Sequence, residues 1–301
     1  MQRNNISGLL LINKHKGVTS FDIVSKIRRL YNIKKVGHTG TLDPLATGVL
    51  PVLVGPSVKA SEYLLNENKE YIATLKLGIE TDTEDITGKV LNTCDVIPDF
   101  CSFKQACDSF LGTISQVPPM YSAIKIDGKK LVDLARNGVT IEREKREVRI
   151  ESIIPEIIDE KEGIYSIDVK CSKGTYIRTL CSDIGKKLGC GATMTELERV
   201  KSGPFSIDDC ISIEELENLS YEERLLHLIP LENVFSDYDS IGFPDFYTRL
   251  FKNGCEIYLK KINRDFEVGK RLKVFEKGMF IALAEVKEFD EGLAIKAIKY
   301  F

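Results

Sequence analysis

The sequence predicts an α+β fold, and three observations carry that prediction. Segments with strand periodicity and segments with helix periodicity are interleaved along the chain, without the regular βαβ alternation of a doubly wound sheet. The 301 residues are 43% hydrophobic and 29% charged, enough apolar material for one large or two ordinary domains. After residue 239 come three strand-like runs, RLKVFE, MFIALAEVKE and LAIKAIKYF. The turns EKG and FDEG separate them, as in a small sheet or barrel.

Taken in order, GLLLIN (8–13) reads as a buried strand. Thr19-Ser20 followed by Phe21, Val24, Ile27 and Leu30 reads as a capped amphipathic helix ending near Asn32. Residues 37–48, GHTGTLDPLATG, have Gly, Pro and small polar residues but no periodicity, which predicts a shaped loop; the strand VLPVLV follows. Residues 57–66 look helical and EYIATLKL (70–77) alternates as a strand. TDTEDITG reads as a polar turn before a partner strand at 89–92, and 102–111 as a helix closed by Gly112. A strand at 121–126, an Asp127-Gly128 turn and a helix from Leu131 to Asn137 stopped by Gly138 form a basic segment expected to project as an arm. Strands are expected at 146–154 and 164–171, and a helix at 175–188 with Tyr176 and Arg178 in its first turn. An acidic helical stretch at about 211–236 precedes a turn-rich boundary at 239–247, DSIGFPDFY.

The net charge of −3 is unevenly placed: residues 1–60 carry +7 and 121–150 carry +3, the rest being acidic. Two basic segments can gather around one polyanion site or form solvated surfaces, the commoner case. Eight Cys without a CxxC pair and three scattered His predict reduced, mostly buried thiols and no metal site. No apolar run approaches a membrane span. The amino terminus reaches Lys14 after a short apolar run without a small-residue cleavage site, so a cytoplasmic protein is expected. GVLPVLVG lacks the Lys and Ser/Thr of a phosphate loop, there is no GxGxxG, and TDTEDITG fails the spacing of a calcium loop. Nucleotide cofactors are therefore not expected.

Asp43 stands in the Gly-rich loop between a basic helix and an apolar strand, flanked by Leu42 and Pro44. A carboxylate held there can act as a nucleophile, or it can be an ordinary turn residue. His38 in the same loop has two readings as well, a loop hydrogen bond or a base-stacking or proton-transfer group.

Five ordered segments carry a resemblance: KHKGVTSFDIV, GHTGTLDPLATGVLPVLVG, YIATLKLGIETDTEDITG, PPMYSAIKIDGKKLVDLARNG and CSKGTYIRTLCSDIGKKLGCGATMTELERVKSGPF. Together they resemble, over residues 8–205, the TruB family of transfer-RNA pseudouridine synthases. The carboxy-terminal β-rich piece resembles a PUA-type RNA-binding module. The resemblance implies a pseudouridine synthase-type, mostly antiparallel sheet with flanking helices in residues 1–238, a thumb-like insertion at about 121–149, and a PUA-like domain at 239–301.

It also implies roles. Asp43 matches the catalytic aspartate, Arg178 the arginine that pairs with it, and Tyr71 the tyrosine that packs on the target base and is placed to help remove the C5 proton. Tyr176 and Leu197 match positions lining the uracil pocket, and His38 the histidine that enters the base stack when the target nucleotide flips out, as the chemistry requires. Lys14 lies in a KPxG-like segment that buttresses the catalytic loop, although this chain has His15 where that segment has Pro. Lys125, Lys129, Lys130 and Arg136 of the arm would meet phosphates.

The activity implied is a cofactor-independent isomerisation of one uridine, at position 55 in the T-loop of transfer RNA, to pseudouridine. The enzyme is expected to be a monomer without an obligatory protein partner or membrane association. The alternatives are a guide-dependent enzyme of ribosomal RNA and an RNA-binding or RNA-folding factor with incidental catalysis. A glycosidase-like hydrolase is disfavoured, because no second acid is evident beside Asp43.

Overall fold

The computed structural model describes residues 6–301 apart from Asn66 and Asp127, and Lys130 by its backbone alone. A ten-stranded sheet runs in the order Ile211–Ser212, Gly8–Lys14, Thr47–Val54, Ala192–Ser202, Lys69–Leu77, Ile164–Cys171, Arg146–Asp159, Gly112–Gln116. Val36–His38 pairs with Thr47–Val54, and Phe205–Ser206 with Ala192–Ser202. Most pairings are antiparallel. The parallel exceptions are Gly8–Lys14 with Ile211–Ser212, and Thr47–Val54 with Ala192–Ser202. The second of these joins the two halves of the sheet through only two residue pairs, Glu198 with Thr47 and Arg199 with Gly48. At this seam Gly48 has φ +97°, and a Cβ there would lie 2.3 Å from the Arg199 carbonyl oxygen, so only glycine lets the two strands meet.

The core lies between this sheet and the helices Ser20–Leu30, Phe100–Asp108 and Ile177–Leu188. In Lys69–Leu77 the two-residue period buries Tyr71, Ala73, Leu75 and Leu77 and leaves Ile72 outside. Ser20–Leu30 begins with the expected cap, which takes the form of a capping box between Thr19 and Asp22. Its inner face is Ile23, Val24 and Ile27; Phe21, expected inside, is 60% exposed beneath the Arg28 guanidinium.

Several expectations are corrected. The strand Ala192–Ser202, central to the sheet, was not anticipated, because charged residues interrupt its apolar alternation. The loop expected at 37–48 is shorter, since Val36–His38 and Thr47–Val54 are strands. Residues 57–66 divide into a 3₁₀ turn, Gly55–Ala60, and the short helix Ser61–Leu64; the expected end at Asn66 lies outside the described residues. The strand expected at 121–126 is reduced to Lys125–Ile126, paired with Lys129–Lys130, and Asp127 of the turn between them is likewise outside the description. The acidic stretch is three short helices, Ile213–Asn218, Tyr221–Leu226 and Leu231–Val234. Four cysteines are buried, two half-buried and two exposed, fewer buried than expected; all eight are free thiols.

The turn-rich 239–247 is in fact a strand, Asp239–Gly242, and the start of the helix Asp245–Lys252. They join a five-stranded sheet in the order Asp239–Gly242, Arg271–Glu276, Met279–Phe289, Gly292–Tyr300, Ile257–Tyr258. This sheet has its own core around Phe251, Leu272, Val274, Val286 and Ile295. Leu9, Leu11, Leu53, Leu64, Leu231 and Phe235 meet Leu283 in a third apolar cluster that fixes it to the larger sheet. Lys59 Nζ donates to the Tyr300 carbonyl at 2.9 Å across the same contact. Among the described residues no helix is long and apolar enough to cross a membrane, and no cluster of His, Cys, Asp or Glu could hold a metal ion.

Candidate active site

The loop before Thr47–Val54 is held on both sides of Asp43. The Ser20 hydroxyl donates to the Leu42 carbonyl (3.0 Å) and accepts from the Leu42 amide (2.9 Å). On the other side the Gly17 amide donates to Pro44 O (2.8 Å) and the Ala46 amide to Asp43 O (3.0 Å). With Leu42, Leu45 and Ala46 buried as anchors, the Asp43 carboxylate is presented at the seam of the sheet with 34% of its side chain exposed.

Arg178 approaches from the first turn of Ile177–Leu188. Tyr176, expected in that turn, is its N-cap residue, fixed by Gln116, whose Oε1 accepts from the Tyr176 amide at 3.1 Å. Arg178 is 4% exposed. Its Nη2 lies 3.2 Å from Asp43 Oδ2 and donates to the Tyr121 carbonyl at 2.5 Å, while Nη1 lies 3.7 Å from Asp85 Oδ2. Asp85 is one residue that sequence reasoning missed, its segment having been read as a polar turn. It is buried, and it corrects the expectation that no second acid lies near Asp43. It is not a free acid, however: its Oδ1 accepts from the Thr87 amide (2.9 Å) and from the hydroxyls of Thr83 (3.0 Å) and Thr87 (2.5 Å), and its Oδ2 faces Arg178. Burial raises the Asp43 carboxyl above its ordinary range; Arg178 opposes that and Asp85 adds to it.

The opposite wall comes from two paired strands, in which Arg199 stands opposite Tyr71. Arg199, also missed, is 1% exposed; its Nε donates to Val49 O (2.7 Å) and its Nη2 to Gly40 O (3.4 Å). Burial raises the Tyr71 phenol, with the Arg199 charge opposing. The signal available was Gly48 immediately before the strand pattern VLPVLV, where a glycine can mark close backbone approach.

Asp43, Tyr71, Tyr176, Arg178, Leu197 and Arg199 all line one cavity of about 260 Å³, just below the ~300 Å³ at which sites for drug-sized ligands begin and a fitting size for a nucleobase. The remaining expected residues lie elsewhere. Lys14 is fully buried behind the loop, its Nζ donating to His15 O (3.0 Å) and Val18 O (2.9 Å). Burial lowers its pKa to about 8 against the pull of Asp43. The half-buried His38 is not on the cavity wall; its Nδ1 is buried without a partner, and burial and Arg199 lower its pKa. Lys125 and Lys129 are exposed on the arm, while the side chain of Lys130 lies outside the described residues. Arg136 borders a second cavity, about 410 Å³, which is also lined by Asp85 and shares Asp43 and Arg178 with the first.

The sequence and the fold are similar to those of known proteins. The model of the TruB family pseudouridylate synthase N-terminal domain matches residues 28–177, and that of the tRNA pseudouridylate synthase B C-terminal domain residues 178–240. The tRNA pseudouridine synthase B of Clostridium tetani is 45% identical over 281 residues, 93% of this chain and 96% of that protein. That of Alkaliphilus oremlandii is 45% identical over 290 residues, 95% of each. Among solved structures, a chain of a Cbf5–Nop10–Gar1 complex superposes with a TM-score of 0.69 at 23% identity, covering 98% of this chain and 85% of that one. A chain of an H/ACA RNP bound to a substrate RNA containing 2'-deoxyuridine gives 0.67 at 23%, covering 98% and 84%. These structures share the pseudouridine synthase fold with this chain. On the family models and the identity across nearly its whole length, the chain belongs to the TruB family of pseudouridylate synthases.

Proposed function

We propose that the protein isomerises uridine to pseudouridine in transfer RNA, at position 55 of the T-loop, with Asp43 as the catalytic carboxylate. One observation carries the assignment of roles: Asp43, paired with Arg178, reaches into a base-sized cavity whose other walls are Tyr71, Tyr176 and Leu197. The reaction breaks the N1–C1′ bond, turns the base and joins C5 to C1′. Attack on C1′, assistance to a glycal and addition at C6 all use an ionised Asp43, which Arg178 aims and keeps charged. Asp85 has its oxygens engaged, so among the described residues it is not a free second carboxylate beside Asp43 to activate water, which suits an isomerisation over a hydrolysis.

Tyr71 and Leu197 would hold the flipped base. With its pKa raised, Tyr71 is a neutral phenol at physiological pH, and it can take the C5 proton only where Arg199 stabilises the phenolate. Lys14 supports the Asp43 loop from behind. His38 lies off the cavity wall, so filling the gap that the base leaves, rather than touching the base, is the role proposed for it. Lys125, Lys129, Lys130 and Arg136 would contact phosphates.

We read residues 1–238 as the catalytic unit, with the arm at 121–149, and 239–301 as a PUA-like RNA-binding unit. The separate core of the second sheet supports that division. A monomeric, stand-alone, cytoplasmic enzyme is the form we propose; its stand-alone character is supported by relatives of similar length named tRNA pseudouridine synthase B. The test is tritium release from a naked T-arm stem-loop carrying [5-³H]uridine, without guide RNA or added protein. Release at catalytic protein concentration is expected; tight binding without release would replace this reading with an RNA-folding factor or a guided enzyme.

A further inference from the structure

The cavity around Asp43 carries more positive charge than a uracil base needs. Among the described residues its wall holds four cations, Lys69, Lys173, Arg178 and Arg199, against the single carboxylate of Asp43. Arg178 is committed to Asp43 and Asp85, and Arg199 to the carbonyls of Val49 and Gly40. Lys69 is different. It opens the strand Lys69–Leu77, whose two-residue period turns it to the same face as Tyr71, and only 7% of it is exposed. Its Nζ is drawn back onto the carbonyls of Leu65 (3.2 Å) and Glu67, which uses two of its three donors.

We propose that Lys69 is a phosphate-binding residue of this cavity, which leaves the carbonyls of Leu65 and Glu67 to pair with a phosphodiester flanking the target uridine. The proposal rests on the reading that a uridine of an RNA enters the cavity. A neutral base offers nothing to the excess cations, whereas the backbone that delivers it brings a negative charge on each side. Burial is the main influence on Lys69; Arg199 and Lys173 face it and oppose its charge, Glu67 favours it, and Cys171, its own pKa raised to about 11, is a neutral thiol at pH 8. Together these leave the Lys69 pKa at about 8 in the free protein. A phosphodiester alongside would restore the full proton. At pH 8, RNA binding should therefore take up about half a proton at this site.

The test is calorimetry at pH 8 in two buffers of different ionisation enthalpy. It uses a T-arm stem-loop already containing pseudouridine, so that no turnover contributes heat. Native phosphates are compared with a neutral methylphosphonate placed 5′ or 3′ of the target, on the wild-type protein and on Lys69→Met. Uptake of about half a proton is expected with native RNA. It should disappear with one of the two methylphosphonates and with Lys69→Met, with no further loss when the two are combined. The slope of log Kd against log salt should fall by about 0.7 in the same pairings. The methylphosphonate arm needs no altered protein, so a poorly folding variant does not compromise it. Lys14, whose pKa is also about 8, lies off the cavity wall and should not respond to either methylphosphonate. Tritium release from the unmodified [5-³H]uridine stem-loop separates the two failures. Release with uptake unchanged by both methylphosphonates overturns the Lys69 assignment alone, and no release overturns the substrate reading together with it.

Discussion

Replacing Asp85 with Asn removes one negative charge while keeping an oxygen to accept from Thr87. Asp43 and Asp85 sit 3.2 and 3.7 Å from the two terminal nitrogens of one guanidinium, so their charges are roughly 6–7 Å apart. At an effective dielectric constant of about 20 their repulsion is about 2.5 kcal/mol, and in bulk water about 0.6. Asp43 is one-third exposed and falls between these limits, near ~1.4 kcal/mol, or about one pH unit. The sign follows from the causes: Asp85 pushes the Asp43 carboxyl up and Arg178 pulls it down. In the variant the push is gone and the guanidinium is no longer shared, so both changes lower the pKa. Activity that needs ionised Asp43 is lost as pH falls through that pKa. The acid limb of kcat/KM, measured by tritium release between about pH 5 and 8, should therefore move down by about one unit. A limb that stays in place or moves up would refute the electrostatic account of the trio.

Arg178→Met should do the opposite, moving the same limb up by two or more units, because a 3.2 Å ion pair is lost while burial remains; a downward shift would contradict the pairing. Gly48→Ala should cost about 3 kcal/mol or more in urea unfolding, since the new Cβ meets the Arg199 backbone at a φ of +97°. A wild-type midpoint would mean the seam is looser than described. Lys125→Ala with Lys129→Ala should lower the salt slope of RNA binding by about 0.7–0.9 for each phosphate no longer neutralised and leave kcat unchanged. An unchanged slope would remove both from the RNA interface.

The parts of the fold written in local pattern were legible from the sequence. The helix cap at Thr19, the alternation in 70–77, the helix carrying Arg178 and the three carboxy-terminal strands each follow from spacing within one segment. What was not legible depends on pairing between distant segments. The alternation of Ala192–Ser202 is broken by a register shift between Met194 and Glu196, and its arginine looks like one more charge in TELERVKS until the pairing with Gly48 buries it. Asp85 sits in an acidic turn among other polar residues. Only the docking of that turn on Met194, through the Ile86 amide at 2.8 Å, brings its carboxylate to Arg178. The Asp43 loop was conspicuous for lacking any period, but its clamps, Ser20 and Gly17, come from the preceding helix and turn. His38 was placed in that loop, whereas the short strand Val36–His38 holds it off the cavity wall.

Asp43→Asn tests the central claim most directly, with tritium release, T-arm binding and thermal unfolding measured together. Because the folded protein binds the Asp43 proton more tightly than the unfolded chain does, ionised Asp43 costs stability at neutral pH, and that cost fades only as pH falls. The variant should therefore unfold no earlier than wild type at pH 7, bind the stem-loop with similar affinity and release tritium at least a thousandfold more slowly, a loss of about 4 kcal/mol in transition-state stabilisation. A folded, RNA-binding variant that still releases tritium near the wild-type rate would show that the carboxylate at the seam is not the group that does the chemistry.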